Sequence, residues 1–251
     1  MNIIKPSISM KLKPHKNSTL ETECLFGESV QILDNYLEWA YCKLLTDNYY
    51  GWVKKNGLGY LKPSTHRVLS KRSFLFNQRN AKSNCIHHLP IGAKLAVKII
   101  KDDWAEVHLS NKHDYKTAYV PSKHIVVMDN KVKDWVAIAE QLLGTPYKWG
   151  GRDSIGIDCS ALIQLSCEAY GKNIPRNTID QLKTNKKIIT NINNLNRGCV
   201  VFWKGHVGLM VDRLNCIHAN AFHMKTTIEP LNEIIIRMGK KHSIVKMFNF
   251  N

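Results

Sequence analysis

The chain has 251 residues, of which 44% are hydrophobic and 22% charged. This is ordinary globular composition, which excludes a disordered or fibrous chain. The length by itself predicts one or two domains. No run of about 18 uncharged apolar residues is present, so we expect no membrane span. The first residues lack the apolar core of a secretory signal, and we therefore expect a cytoplasmic protein.

The formal net charge is +16, from 36 basic and 20 acidic residues. Residues 1–129 and 130–251 each carry +8, with 19 basic against 11 acidic residues and 17 against 9. Nucleic-acid binding usually needs a basic patch or stripe, and neither half has a basic arm. We predict no nucleic-acid partner, although the positive field favours anionic substrates.

The seven cysteines are odd in number and widely spaced, without a C-x-x-C pair. This pattern argues against a disulfide framework and against a cysteine-type zinc site. Most of the cysteines are therefore expected to be buried side chains in a reducing compartment. We expect neither a metal nor an organic cofactor.

The first half consists of short segments rich in β-forming residues, which predict strands. They form two sets with the same order of features, and the second set follows the first at offsets of 65, 65 and 67 residues. The predicted strands span 29–33, 39–44 and 50–53 in the first set and 94–99, 104–109 and 117–121 in the second. The repeat predicts two small β-barrels, residues 1–64 and 65–129, with Trp39, Trp52 and Trp104 mostly in their cores.

The pattern changes near residue 130. Apolar residues recur with helical spacing over 132–143 and again from Cys159 to Gly171, with a glycine-rich loop, 144–152, between the two segments. Apolar runs at 199–203 and 207–211 predict strands. Helices followed by strands predict an α+β domain over residues 130–251.

Cys159 lies at the predicted start of the second helix. The helix dipole and nearby amide donors at such a position lower a thiol pKa and favour the nucleophilic thiolate. The alternative is a buried structural cysteine, which is the more common fate of this residue type.

Two histidines lie on neighbouring predicted strands. If Gly208 lies opposite His218 in a hairpin, His206 and His218 become diagonal neighbours on one face. Cys159 would then attack, His206 would act as general base, and His218 would orient the imidazole. The alternative for each histidine alone is a solvated surface position.

These segments resemble known families. The strand order of residues 1–129 resembles bacterial SH3-like domains. The runs GTPYKWGGRDSIGIDCSALIQ (144–164), PRNTIDQ (175–181), RGCVVFWKGHVGLMVD (197–212) and IHA (217–219) resemble the NlpC family of papain-like cysteine peptidases. Together they resemble murein-peptide endopeptidases that cleave the bond between γ-D-glutamate and a diamino acid. The resemblance implies murein stem peptides or tripeptides as substrates, a free N-terminal L-Ala on them, and a monomeric enzyme.

The resemblance also implies roles for individual residues. By position, Cys159 matches the nucleophile, His206 the base and His218 the third polar residue. The expected substrate-binding residues are Tyr49, Tyr147, Trp149, Asp158, Ser160 and Thr178. Thr178 replaces a serine of the family motif and keeps the hydroxyl.

Asp158 and Ser160 match positions that bind the free amine of the substrate. A carboxylate bonded to ammonium would favour a free N-terminus and would lack a partner without one. Tyr49 matches a tyrosine that caps the pocket, although the neighbouring Tyr50 is an alternative. Glu23 and Glu28 both remain candidates for a further pocket carboxylate.

Two other functions stay open at this stage. A papain-like site also supports hydrolysis of other amides or acyl transfer. The SH3-like copies could instead bind a wall polymer or a protein beside an inactive peptidase domain. The choice between diaminopimelate and lysine is likewise open.

Overall fold

The structure, a computed structural model, describes residues 1–184, 187–240 and 243–249. The chain divides into two compact units. Unit 1 contains residues 1–130 together with 152–154, and unit 2 contains 131–151 together with 155–251. Within the described ranges no helix is long and apolar enough to cross a membrane.

Unit 1 is built almost entirely from short strands. Those of its first copy are β1 (Asn2–Ile3), β2 (Ser7–Lys11), β3 (Leu20–Leu25), β4 (Val30–Tyr36), β5 (Trp39–Leu44), β6 (Tyr50–Lys54) and β7 (Leu58–Gly59). Those of its second copy are β8 (His66–Val68), β9 (Arg72–Phe76), β10 (Cys85–Pro90), β11 (Lys94–Leu95), β12 (Val97–Lys101), β13 (Trp104–His108), β14 (Thr117–Pro121) and β15 (Ile125–Val127). Single 3₁₀ turns lie at Lys55–Gly57 and Ser122–His124.

The two copies share one strand topology. The five-stranded sheet of the first has the order β3-β2-β6-β5-β4, and that of the second has the equivalent order β10-β9-β14-β13-β12. A β-bulge follows Ile32 in the first sheet and Val97 in the second, again 65 residues apart. Bulges are specific local features, so the duplication extends to the details of the backbone.

Each copy has an apolar core cluster, and Phe26 of the first copy belongs to the cluster of the second. Trp39 is buried but is not among the residues of the first core cluster, and Trp52 and Trp104 are only partly buried. Successive side chains of a strand point to opposite faces. Because Gly51 and Val53 are the buried residues of β6, Trp52 lies on the other face, where its ring centroid is 5.2 Å from that of Tyr41.

Unit 2 combines helices with an antiparallel sheet. Its helices are α1 (Val136–Gln141), α2 (Cys159–Ala169), α3 (Thr178–Leu182) and α4 (Leu231–Met238), with a 3₁₀ turn at Ile192–Asn194. Its sheet has the order β18 (Lys187–Ile188), β23 (Lys246–Asn249), β19 (Cys199–Trp203), β20 (His206–Met210), β21 (Asn215–Asn220) and β22 (Lys225–Pro230). Helix α2 packs against α1, β20 and β21. The elements are those of the predicted α+β fold.

One short segment differs from the predicted division of the chain. Two-residue strands β16 (Arg152–Asp153) and β17 (Gly156–Ile157) follow the glycine-rich loop, and Arg152–Ser154 belongs to unit 1 rather than unit 2. Arg152 is fully buried and donates from Nη1 and Nη2 to the Glu28 carboxylate at 3.0–3.1 Å. This buried ion pair explains why the segment belongs to unit 1.

Candidate active site

Helix α2 begins at Cys159, and Asp158 is its N-cap. Asp158 has extended backbone angles and accepts a hydrogen bond from the amide of Ala161 at 2.9 Å, as a capping carboxylate does. The amide of Gly150 donates to the same carboxylate at 3.0 Å. The glycine-rich loop and the helix start are thereby joined around the cysteine.

The expected lowering of the Cys159 pKa is not found. Burial, followed by the negative charge of Asp158, raises the pKa of this thiol to about 11. The Val207 amide donates to the thiol and opposes this shift, as does the Thr178 hydroxyl, whose oxygen lies 3.9 Å from Sγ. The helix position predicted a lowered pKa, but burial of the thiol, the alternative environment for this cysteine, has the largest effect.

The hairpin of β20 and β21 has the predicted register. Leu209 pairs with Ile217 and Met210 with Cys216, and continuing this register places Gly208 opposite His218. The Nε2 atom of His206 lies 2.8 Å from Nδ1 of His218. The two histidines are therefore in direct contact on one face of the sheet.

The absence of a side chain at Gly208 lets β20 and β21 pack closely on this face of the sheet. A Cβ atom added at Gly208 would lie 2.4 Å from Sγ of Cys216 and 3.6 Å from Cβ of His218. Contacts under about 3 Å force a neighbour to move. The glycine thus allows the buried Cys216 and His218 to lie directly beside β20.

Both histidines have lowered pKa values. Burial is the largest cause in each case, and it brings the pKa of His206 to about 3. The neighbouring His218 lowers the pKa of His206 further, whereas Glu229 raises it. At neutral pH the thiol and both imidazoles are consequently uncharged.

Glu229 and Arg237 were not predicted from the sequence. Glu229 on β22 lies diagonally across from His218, with its Oε1 2.6 Å from His218 Nε2. Arg237 on α4 donates to both carboxylate oxygens of Glu229, at 2.8 and 2.6 Å. A single acidic residue in the segment Lys225–Pro230 was the available signal, but only the pairing of β21 with β22 shows its target.

Asp158 does not have the free carboxylate that we expected. Arg176 donates from Nη1 to Oδ1 at 3.0 Å and from Nη2 to Oδ2 at 2.7 Å, and Ser160 donates to Oδ1 at 3.1 Å. The expectation that Asp158 would lack a partner without a substrate amine is therefore wrong. Arg176 lies in the motif PRNTIDQ (175–181), but its contact with Asp158 was not predicted from the sequence.

The other predicted residues of unit 2, Ser160, Tyr147 and Trp149, differ in burial and in their contacts. Ser160 is buried and also accepts a hydrogen bond from Arg176 at 2.7 Å. Burial, followed by the charges of Cys159 and Asp158, raises the pKa of Tyr147 to about 12, so its hydroxyl remains protonated. The indole of Trp149 is 68% exposed and thus available for contact with a ligand.

The remaining candidates belong to unit 1. The Tyr49 hydroxyl donates to Glu21 at 3.0 Å, whereas Tyr50 is exposed. The Glu28 carboxylate forms the ion pair with Arg152, and the Glu23 carboxylate accepts a hydrogen bond from the Arg152 amide at 2.9 Å. These contacts identify Glu28 as a structural residue of the first copy.

Among residues 1–184, 187–240 and 243–249, no cluster of three or more histidine, cysteine or acidic side chains is arranged to hold a metal ion.

Comparison with known proteins gives two domain matches. Residues 144–241 match the NlpC/P60 family, and residues 13–58 match the bacterial dipeptidyl-peptidase SH3 domain. The first range contains Cys159, His206 and His218. The second lies within the first copy of unit 1.

Curated relatives match most of the chain. The γ-D-glutamyl-L-lysine dipeptidyl-peptidase of Bacillus subtilis is 26% identical over 87% of this chain and 78% of its own length. Dipeptidyl-peptidase 6 of Lysinibacillus sphaericus is 23% identical over 92% and 91%. A crystal structure of an NlpC/P60 family protein from Bacillus cereus shares the fold, with a TM-score of 0.84, 17% identity and coverage of 99% and 98%.

These matches agree with the α+β fold, the SH3-like strand region and the cysteine at the start of α2. The chain therefore contains a papain-like cysteine peptidase domain of the NlpC/P60 family, together with a bacterial dipeptidyl-peptidase SH3 domain.

Proposed function

We propose that this peptidase hydrolyses the bond between γ-D-glutamate and a diamino acid in murein peptides that carry a free N-terminal L-Ala. The observation that carries the proposal is the 2.8 Å contact of His206 with His218, on the strand that packs against the helix beginning at Cys159. The names of the relatives support lysine as the diamino acid.

The proposed reaction uses an uncharged thiol at rest. His206 takes the Cys159 proton as sulfur attacks the γ-glutamyl carbonyl, and an oxyanion site that includes the Cys159 amide stabilises the negative oxygen. His206 then gives the proton to the departing amine of the diamino acid. Water, deprotonated by His206, hydrolyses the thioester, releases L-Ala-γ-D-Glu and restores the thiol.

The names of the relatives support a requirement for a free amine on the substrate, and the contacts of Asp158 limit how that amine could bind. A dipeptidyl-peptidase removes two residues from an amino terminus, and two relatives carry that name over most of this chain. In unit 2 a substrate ammonium would share the Asp158 carboxylate with Arg176. We propose that Asp158, with the nearby Ser160, contributes to amine binding as one partner rather than as a dedicated counter-ion.

The test is turnover of L-Ala-γ-D-Glu-L-Lys, followed by mass spectrometry. Two further peptides are assayed in parallel: the same peptide acetylated at its amine, and the peptide that has diaminopimelate in place of lysine. Each peptide is incubated with wild type and with Cys159→Ala. We expect release of L-Ala-γ-D-Glu from the free peptides only, and no release by Cys159→Ala. Cys167→Ala, which alters a buried cysteine elsewhere on α2, is the matched control and should retain activity.

Other outcomes would identify the alternatives. Equal cleavage of the free and acetylated peptides would keep the peptidase and contradict the amine requirement. Absence of cleavage by folded wild type would favour a different amide or acyl substrate. If Cys159 also failed to react with thiol-directed acylating agents, a binding function would replace catalysis.

A further inference from the structure

A continuous line of polar side chains extends from His206 into the interior of unit 2. His206 contacts His218 at 2.8 Å, His218 contacts Glu229 at 2.6 Å, and Arg237 contacts Glu229 at 2.6 Å. His218 and Glu229 are buried. We infer that Glu229, held by Arg237, is a positioning residue that sets the proton positions of both imidazoles and leaves Nδ1 of His206 free to accept a proton.

The inference follows from counting protons along this line. A carboxylate accepts hydrogen bonds and does not donate them, so the proton between Glu229 and His218 belongs to Nε2 of His218. Neutral imidazole carries one N–H, and Nδ1 of His218 therefore accepts. The proton in the next contact must then come from Nε2 of His206, which leaves its Nδ1 unprotonated.

The count requires that Glu229 is ionised. The hydrogen bonds from Arg237 and from the histidines outweigh burial and lower the pKa of Glu229 to about 2. The neighbouring His223 lies 3.4 Å from Oε2. Arg237 donates to both oxygens in a fork geometry that fixes the plane of the carboxylate.

Asn220 also approaches this line. Its side-chain nitrogen lies 3.1 Å from Nε2 of His218, but it donates to Oγ1 of Thr227 at 3.0 Å, and Oδ1 of Asn220 accepts from the amide of His223. Asn220 thus has other partners. The shorter contact, 2.6 Å to the charged Glu229, therefore determines that the proton of His218 is on Nε2.

The charges of this line do not make His206 a stronger base. Arg237 lowers the pKa of His206, and the smaller effect of Glu229 raises it. The role inferred for Glu229 is therefore to fix the positions of the protons. Glu229 acts on His206 through His218 and does not itself touch the reacting atoms.

This inference rests on the proposed roles of Cys159 and His206, so its first readout needs no substrate. Nitrogen NMR of histidine-labelled protein distinguishes the two imidazole tautomers. We expect N–H at Nε2 of both His206 and His218 in wild type. Glu229→Ala should shift both histidines toward mixed tautomers, and Glu229→Asp, which keeps an ionised acceptor, should restore much of the original pattern.

The second readout is peptide turnover. Glu229→Ala should lower kcat about 10- to 100-fold, which is at most the lower limit of the roughly 100- to 10,000-fold that general acid–base catalysis contributes, because the base His206 is still present. KM should change less than about twofold. Glu233→Ala alters an exposed glutamate on α4, the helix that carries Arg237, and is the matched control. It should leave both the tautomers and kcat unchanged.

Arg237→Met provides a variant that keeps Glu229, in case Glu229→Ala does not fold. Without the Arg237 guanidinium the Glu229 carboxylate should become more mobile, and the nitrogen NMR signal of His218 should broaden. Unchanged tautomers in both variants would overturn the inference, as would a loss of kcat no larger than that of Glu233→Ala. A tautomer shift in an enzyme that cleaves no murein peptide would support the inference and contradict only the proposed substrate.

Discussion

Arg176 and Asp158 form a buried ion pair, with both guanidinium Nη atoms bonded to the carboxylate at 3.0 and 2.7 Å. The same carboxylate caps the helix that begins at Cys159. Asp158 raises the pKa of the Cys159 thiol, and Arg176 lowers it. The pair therefore anchors the helix start and reduces the effect of a negative charge beside the nucleophile.

The first prediction concerns that charge. Asp158→Asn should increase the alkylation rate of Cys159 by iodoacetamide at pH 7.5 about three- to tenfold. Removing a nearby negative charge favours the thiolate, and asparagine still caps a helix. Mass spectrometry of the modified cysteine measures the rate.

Asp180→Asn is the control for this substitution, because Asp180 is partly exposed and paired with Lys183 on the surface. It should leave the alkylation rate unchanged. An unchanged or slower rate in Asp158→Asn would show that the carboxylate does not oppose ionisation of Cys159.

The second prediction concerns pH. Since the pKa of Cys159 is about 11 and that of His206 about 3, the pair is uncharged at neutral pH. Alkylation tracks the thiolate, and the rate should rise about tenfold per pH unit from pH 6 toward pH 10. Peptide turnover should show no loss between pH 7 and pH 5 attributable to protonation of His206.

A stable thiolate–imidazolium pair would behave differently. It would give an alkylation rate that is already constant near pH 6. A plateau of that kind in wild type, absent in His206→Ala, would contradict the uncharged resting state.

The third prediction tests the packing at Gly208. Gly208→Ala places a methyl group 2.4 Å from Sγ of Cys216. We expect a loss of about 1–3 kcal/mol in the free energy of unfolding, the usual cost of overpacking. Urea denaturation measures this loss, and kcat should fall because His218 is displaced.

Cys216→Ala provides the rescue. Combined with Gly208→Ala it removes the clashing sulfur, so the double variant should be more stable than the sum of the two single changes predicts. Simple additivity would show that the contact between Gly208 and Cys216 does not determine the packing.

The fourth prediction concerns the ion pair in unit 1. Arg152→Met leaves the fully buried Glu28 without its cation and should cost about 3–5 kcal/mol of stability. Arg79→Met removes a partly exposed partner of Glu106 and should cost less than about 1 kcal/mol. Equal losses in the two variants would contradict a structural role for Arg152.

The repeat and the main helix were predictable from local signals. Apolar spacing gave the helix from Cys159, and the 65-residue repeat anticipated two sheets with one topology. Alternation in β20 and β21, together with the assumed pairing of Gly208 with His218, also predicted the contact of His206 with His218. Each of these features depends on residues close in sequence or on a regular period.

The contacts that tune the site were not predictable in this way. Arg176 lies 18 residues from Asp158, and Arg152 lies 124 residues from Glu28. Neither pairing follows from a helical or strand period, because the partners meet only through the packing of separate elements. Trp52 and Trp104 are a different case, because their residue type predicted a core position whereas the alternation of their own strands places them on the other face.

The sequence by itself determined the peptidase motifs, the duplication and the identity of the nucleophile and histidine candidates. Only the tertiary structure decided the charge state of the site, since the pKa of a group depends on its burial and on its neighbours. It buried the Cys159 thiol, paired Asp158 with Arg176 and placed Glu229 behind His218.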